Sequence, residues 1–195
     1  MFTGIVEETG KVLALAPDPA GFRLRIQAAA TAKSARLGDS VAVNGCCLTV
    51  AARQRNILQF DLLEETLRCT NLGDLRPGSQ VNLEQSLPAN GRFGGHFVSG
   101  HIDVAGKITA MKREGKNYLL RVSFPKHFGT LVVAKGSIAI DGVSLTVAGA
   151  GAASLSVWLI PHTLKVTNLG ALKPGVRVNL EFDLLAKYLE RLTKR

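Results

Sequence analysis

Ser40-Val-Ala-Val-Asn-Gly-Cys-Cys-Leu-Thr-Val50 is the stretch whose reading decides the fold, because the chain repeats it 97 positions later as Ser137-Ile-Ala-Ile-Asp-Gly-Val-Ser-Leu-Thr-Val147. Each copy reads as a β-hairpin: alternating branched apolar residues, an Asn-Gly or Asp-Gly pair, then a second strand. Those dipeptides suit a type I′ turn, whose two central residues both need φ > 0. Past the turn, a side-chain period of two sends Leu48 and Val50 to one face and Cys47 and Thr49 to the other. Leu145 and Val147 part from Ser144 and Thr146 in the same way. Each hairpin therefore offers an apolar edge to a core and a small polar edge on which function is to be sought.

The repeat extends beyond the hairpin. Residues 66–84, TLRCTNLGDLRPGSQVNLE, match residues 163–181, TLKVTNLGALKPGVRVNLE, at 13 of 19 positions, again at an offset of 97. A weaker echo joins Thr3–Lys11 to Ser99–Lys107 at an offset of 96. The chain is a tandem duplication with halves at 1–95 and 96–185, and a period this long gives each half its own core. Leu87-Pro-Ala-Asn-Gly-Arg-Phe-Gly-Gly95, rich in turn formers, is the natural junction.

Within the first half, strands are expected at Lys11–Ala16 and Phe22–Ile26 around a Pro-Asp-Pro-Ala-Gly turn, then at Val41–Val43, Cys46–Ala51, Ile57–Leu63 and Val81–Gln85. Six short strands in ~90 residues predict a small closed barrel, since closure removes exposed edges. Thr66–Leu72 reads as a short helix with Gly73 as its C′ residue, repeated at Thr163–Leu169 with Gly170. The tail departs from the repeat. Leu184, Leu185, Tyr188, Leu189 and Leu192 mark an apolar helical stripe, with Lys187, Glu190, Arg191 and Lys194 off it and Asp183 as a cap, and residues 186–195 are set apart as a C-terminal helix. So short a helix is marginal alone in water, so the stripe needs a surface, either its own domain or copies of itself.

Composition narrows the function classes. No apolar run approaches the ~18 residues of a membrane span, and Met-Phe-Thr-Gly-Ile-Val-Glu-Glu has no basic region followed by an apolar one, so no secretory signal is expected. Three cysteines, two of them adjacent, make no disulfide framework and point to the cytoplasm. No Cys-x-x-Cys or His-Glu-x-x-His spacing suggests a metal. The formal charge is +9, but the basic residues are scattered, with a modest cluster at Lys187, Arg191, Lys194 and Arg195. Aromatics are 6 % of the chain and do not interleave with basic residues as a stacking platform would, so nucleic acid is not an expected partner.

The two copies differ where chemistry would sit. Cys47 faces Ser144, Asn44 faces Asp141, Ile5 faces His101 and Ser86 faces Asp183. If both halves bind similar molecules, one pocket is neutral and thiol-bearing while its twin carries hydroxyl, imidazole and carboxylates. Neutral drift after duplication is the plain alternative. Cys46 and Cys69 read as small buried hydrophobes. Cys47 lies on the polar edge without a visible activating base. His96 and His101, five apart, could be metal ligands, but no third ligand is apparent, and His127 and His162 read as surface or turn residues. Ser144 lacks the second glycine of a nucleophile elbow.

Taken together, MFTGIVEETG, NGCCLTV, GGHFVSGHID, DGVSLTV and LEFDLLAKYLERL resemble the riboflavin synthase family, over Met1 to about Leu192. The resemblance implies two tandem six-stranded Greek-key β-barrels, an all-β fold with a C-terminal amphipathic helix. It implies a transferase that dismutates two molecules of 6,7-dimethyl-8-ribityllumazine into riboflavin and 5-amino-6-ribitylaminouracil, with no metal or redox cofactor. It implies a homotrimer assembled through the tail helix, with active sites between subunits, and raises lumazine synthase as a partner. One ligand site would comprise Gly4, Ile5, Val6, Cys47, Leu48, Thr49, Asp61, Leu62, Leu63, Glu64, Glu65 and Thr66. The other would comprise Gly100, His101, Ile102, Lys135, Ser144, Leu145, Thr146, Trp158, Leu159, Ile160, Pro161, His162 and Thr163. Phe2 and Ser40 would lie near the chemistry. His101 is expected to transfer the proton, Ser144 and Cys47 to add or relay, and Asp141 and Asp183 to orient them. The alternative within the same fold is a non-catalytic lumazine- or flavin-binding antenna protein.

Overall fold

The structure is a computed structural model that describes residues 1–19 and 21–193. Its first half is a closed antiparallel barrel of β1 (Glu8–Asp18), β2 (Gly21–Gln27), β3 (Ser40–Val43), β4 (Cys46–Gln54), β5 (Ile57–Leu62) and β6 (Gln80–Gln85), in the order β1-β2-β5-β4-β3-β6. The second half repeats that order with β7 (Val104–Glu114), β8 (Asn117–Ser123), β9 (Ser137–Ile140), β10 (Val143–Ala150), β11 (Ser154–Leu159) and β12 (Arg177–Phe182). The expected pair of six-stranded barrels is thus what the chain builds. Short helices connect strands: α1 (Thr31–Ser34), α2 (Glu64–Cys69) and α3 (Pro161–Val166), and α4 (Leu184–Thr193) follows the last strand.

Alternation fills each barrel. Val12, Leu24, Ile26, Leu58, Phe60 and Leu83 are sealed inside the first, and Ile108, Leu120, Val122, Ile140, Leu180 and Phe182 inside the second. A third cluster of Phe2, Ala42, Val98 and Ala139 lies between the barrels, two residues from each repeat. The hairpin turns have the conformation their sequences demand: φ is 46° at Asn44 and 78° at Gly45, 45° at Asp141 and 77° at Gly142. The two turns also touch. A Cβ placed on Gly45 would lie 2.7 Å from the Gly142 nitrogen, and one on Gly142 the same distance from the Gly45 nitrogen, so the barrels meet backbone to backbone at a local two-fold axis.

A buried polar network surrounds this contact. The Asn71 backbone N–H donates to Asn179 Oδ1 (2.6 Å) while its twin, the Asn168 N–H, donates to Asn82 Oδ1 (2.7 Å). Asn82 Nδ2 donates to the Asp141 carbonyl and Asn179 Nδ2 to the Asn44 carbonyl, both at 2.9 Å. Asn44 and Asp141 occupy equivalent places, so the one carboxylate stands where symmetry would put an amide. It accepts from Asn71 Nδ2 (2.9 Å), Asn168 Nδ2 (3.0 Å) and the Asn179 N–H (2.7 Å).

Where the structure departs from the sequence reading, local chemistry explains it. The helix expected over 66–72 starts two residues earlier and stops at Cys69, because Thr70 is extended (φ −122°, ψ 172°) and its hydroxyl accepts the Leu72 N–H, opening a separate 3₁₀ turn at Asn71–Asp74. Gly73 lies inside that turn rather than at a helix C′ position, and Gly170 does the same in the 3₁₀ turn Asn168–Ala171. Cys46 is buried, with burial pushing its thiol up to about 12, but Cys69 is exposed and donates to Glu65 Oε1 at 3.1 Å. Ala20 of the expected turn, and Lys194 and Arg195 of the expected tail helix and basic cluster, lie outside the described residues.

Burial raises the Asp141 carboxyl from its ordinary range to about 7, against three hydrogen bonds that favour the anion. A carboxyl raised in the folded state gives stability that is full below its unfolded value and is lost as pH climbs through the folded one. The wild type should therefore lose stability between pH 5 and 8 relative to Asp141→Asn by about 2–3 kcal/mol, readable from denaturant titrations of both proteins at the two pH values. Parallel pH dependences would contradict this assignment.

Candidate active site

Two short segments build the site by crossing between repeats. Phe2 and Val98 pair across the seam, the Phe2 N–H donating to the Val98 carbonyl (2.7 Å) and the Val98 N–H to the Phe2 carbonyl (3.2 Å). Glu84 at the end of β6 then receives the Thr3 N–H (2.7 Å), the Thr3 hydroxyl (3.0 Å) and the Gly4 N–H (3.0 Å). Glu181 holds Ser99 and Gly100 in the same way, at 2.6, 2.6 and 2.9 Å. From these anchors each segment runs onto the other repeat's barrel. The Ser144 N–H donates to the Gly4 carbonyl and the Cys47 N–H to the Gly100 carbonyl, both at 2.8 Å. Val6 packs on the core of the second barrel and Ile102 on that of the first.

This crossing changes the expected grouping. Gly4, Ile5 and Val6 lie with Ser144, Leu145 and Thr146, whereas Gly100, His101 and Ile102 lie with Cys47, Leu48 and Thr49. A repeat therefore does not complete its own polar edge; its twin does. β5 leads into α2 on one side, carrying Asp61 to Thr66, and β11 leads into α3 on the other, carrying Trp158 to Thr163. Thr49 and Asp61 are exposed on the first barrel, and Thr146, Trp158 and Ile160 on the second.

The twin edges differ in charge. Asp61 pairs with Arg23 at 3.3 Å, and Glu64 and Glu65 stand exposed at the start of α2. Their equivalents are Trp158, Pro161 and His162, with Leu119 at the place of Arg23. Lys135 is exposed in a left-handed conformation (φ 67°) where the first repeat has Gly38 (φ 85°), a strained choice for a residue with a side chain.

The closest chemistry lies at Ser144. Its hydroxyl is 2.7 Å from His96 Nδ1. The imidazole is 8 % exposed, its Nε2 has no protein partner among the described residues, and burial lowers its basicity against an opposing pull from the Asp183 charge. Sequence reasoning named His96 only as a conceivable metal ligand, because the recognisable repeat begins at Thr3 and Ser99 and leaves His96 without a twin. Its place beside Ser144 arises from the crossing, which no spacing reveals. Among the described residues no group of His, Cys, Asp and Glu could hold a metal ion.

The other expected residues have distinct places. His101 is exposed, one residue beyond the Gly100–Cys47 hydrogen bond, and Cys47 is half-buried. Ser40 pairs with Thr49 across β3 and β4. Phe2 is sealed between the barrels beneath Gly100. Asp183 caps α4, accepting the Leu185 N–H at 2.9 Å. Asp141 turns its carboxylate into the network of amides described above, so it orients the hairpin that carries Ser144 rather than the hydroxyl itself.

The model of the lumazine binding domain family matches this chain twice, at residues 3–86 and 99–183, which are the two crossed repeats. A riboflavin synthase of Mycobacterium tuberculosis is 46 % identical over 100 % of this chain and 98 % of its own length. One of Actinobacillus pleuropneumoniae is 44 % identical over 98 % of this chain and 89 % of its own. The chain belongs to the riboflavin synthase family. Among solved structures, LumP complexed with riboflavin superposes with a TM-score of 0.86 at 26 % identity, covering 93 % of this chain and 99 % of that one. LumP complexed with 6,7-dimethyl-8-(1′-D-ribityl) lumazine gives 0.83 at 25 % identity, covering 93 % and 98 %. No helix among the described residues is long and apolar enough to cross a membrane.

Gly95 lets the linker pass directly over Ser144: a Cβ there would lie 2.0 Å from the Thr3 carbonyl oxygen and 3.0 Å from Ser144 Oγ. Gly95→Ala should therefore displace His96 from Ser144 and destabilise the protein by about 1–3 kcal/mol. A thermal melt together with a crystal structure of the variant checks both, and an unmoved His96–Ser144 contact would refute the reading.

Proposed function

We propose that this chain catalyses the dismutation of 6,7-dimethyl-8-ribityllumazine, one molecule giving a four-carbon unit to another to form riboflavin and 5-amino-6-ribitylaminouracil. The observation that carries the reading is the pair of crossed half-sites, alike in backbone and unlike in chemistry. Two identical substrates that must play donor and acceptor call for similar pockets with different reactive groups. Cys47 and His101 would serve one pocket; Ser144 and His96 would serve the other. The products contain all the atoms of the two substrates, so the balance calls for no oxidant or reductant.

Each backbone edge offers N–H and C=O groups to a flat pyrimidine ring, and Thr49 and Thr146 offer hydroxyls to a ribityl chain. Ser144, its hydroxyl 2.7 Å from His96 Nδ1, is suited to add to one lumazine, with the imidazole taking its proton through that nitrogen. His101, exposed at the other pocket, is suited to take a proton from the acidic C7 methyl. Holding two heterocycles in stacked register supplies a large share of the rate as effective molarity.

The same reading assigns α4 to assembly. Its outer stripe leaves Leu185, Tyr188, Leu189 and Leu192 exposed at 60, 61, 62 and 77 %, a face that water disfavours and a neighbouring copy would cover. Asp61, Glu64 and Glu65, partly met by Arg23 and Arg68, are opposite in sign to Lys135 on the other edge, which favours the first barrel of one protomer facing the second barrel of another in a homotrimer. Leu189→Glu should dissociate the assembly, checked by light scattering.

Purified protein supplied with 6,7-dimethyl-8-ribityllumazine alone should form one riboflavin for every two lumazines consumed. Tight binding without turnover would favour the antenna reading instead. Ser144→Ala, His96→Gln and His101→Gln should each lower kcat by about 10²-fold or more while still binding lumazine. Because burial lowers the His96 pKa, its basic form persists below the ordinary imidazole value of about 6.5. Protonation of His96 should therefore depress kcat/KM only below that value, and this contribution should be absent in His96→Gln.

A further inference from the structure

We infer that Lys187 of α4 is a positioning residue for His101, acting through Asp103. The inference rests on the proposed role of His101, and the connection begins at the crossing segment. Residues 99–103 are pinned at both ends. Glu181 holds Ser99 and Gly100 at one end; at the other, the Asp103 N–H donates to the Leu180 carbonyl at 3.0 Å. The Asp103 carboxylate then gathers two donors on one oxygen, the Phe182 N–H at 2.8 Å and Lys187 Nζ at 2.6 Å. The two side chains are only 24 % and 19 % exposed, so solvent screens this ion pair far less than the surface pairs elsewhere in the chain. His101 lies between the two anchors, exposed, with its own N–H donating to Ser99 Oγ at 3.2 Å.

The duplication provides an internal control. Glu7 is the equivalent of Asp103 and its N–H donates to the Leu83 carbonyl in the same way, but its carboxylate is exposed and meets only Gln85 Nε2, at 3.2 Å, among its described hydrogen bonds. No helix follows β6, and the residue at the place of His101 is Ile5. The latch is present on the side that carries the imidazole. A second contact, between Thr130 and Glu190, ties α4 to the same barrel. A helix whose outer face is the assembly surface is thereby wired to a group at the reaction centre, so a shift of α4 reaches His101 through one ion pair.

Steady-state kinetics of Lys187→Met, Lys187→Arg and Asp103→Asn, in wild-type and His101→Gln backgrounds, test this, alongside imidazole proton NMR of the same proteins. Of the 4 histidines, His101 is assigned by the resonance that His101→Gln removes. Lys187→Met and Asp103→Asn should each lower kcat about tenfold with KM changed less than twofold, shift the His101 resonance, and cost less than twofold when His101 is already Gln. Lys187→Arg should restore most of the rate. Asp103→Asn leaves every α4 side chain in place, so agreement between the two variants separates the latch from any loss of assembly. An equal fall in the His101→Gln background, or an unmoved His101 resonance, would overturn the inference. Absence of turnover in the wild type would instead count against the proposed function, and the resonance would still decide the latch.

Discussion

The constraint on which the rest depends is the backbone contact between the Asn44-Gly45 and Asp141-Gly142 turns. Neither turn could approach the other with a side chain at the glycine, and neither dipeptide would hold its left-handed conformation without short polar residues. The contact buries polar backbone, which would be costly unless every donor and acceptor were met. Asn82 and Asn179 meet the two turn carbonyls reciprocally, each repeat satisfying the other's turn, and the Asn168 and Asn71 N–H groups hold those two amides in place. A network of this kind fixes geometry more than it adds stability, since each hydrogen bond is worth only about 1 kcal/mol net, while an unmet one costs about 1–3.

Once the seam is fixed, the exchange of segments follows. The Phe2 and Val98 segments pair antiparallel across the seam, and each is delivered to the other repeat's hairpin within two residues. Duplicated barrels that merely sat side by side would leave two identical pockets. Crossing lets differences in one repeat alter the pocket on the other, so Ile5 and His101 diversify the site opposite their own barrels. Charge diverges along with them: Asp61, Glu64 and Glu65 at one edge stand where the other has Trp158, Pro161 and His162, and Gly38 stands where the other has Lys135.

Much of this was legible in the sequence. The offset of 97 identified the duplication, the Asn-Gly and Asp-Gly pairs located the turns, and the period of two placed Cys47 and Ser144 on the polar edge. Local rules suffice for these because strand alternation and turn conformation are set by near neighbours. The crossing was not legible: Gly4 and Ser144 lie 140 residues apart, and their contact depends on how one barrel is turned against the other. For the same reason nothing in the sequence pairs His96 with Ser144, or sets Asp141 in the seam rather than beside the chemistry. The end of the helix expected over 66–72 turns on a local matter, the capping hydroxyl of Thr70, which splits what propensity alone would join.

The central claim is that each pocket is made by a hairpin of one repeat and a crossing segment of the other. The most direct test is a crystal structure of the Ser144→Ala protein saturated with 6,7-dimethyl-8-ribityllumazine. One ring should lie against Cys47, Leu48 and Gly100 to Ile102, and a second against residues 144–146 and Gly4 to Val6. A ring held between Cys47 and Gly4 to Val6, or a single ring on the seam, would contradict the account.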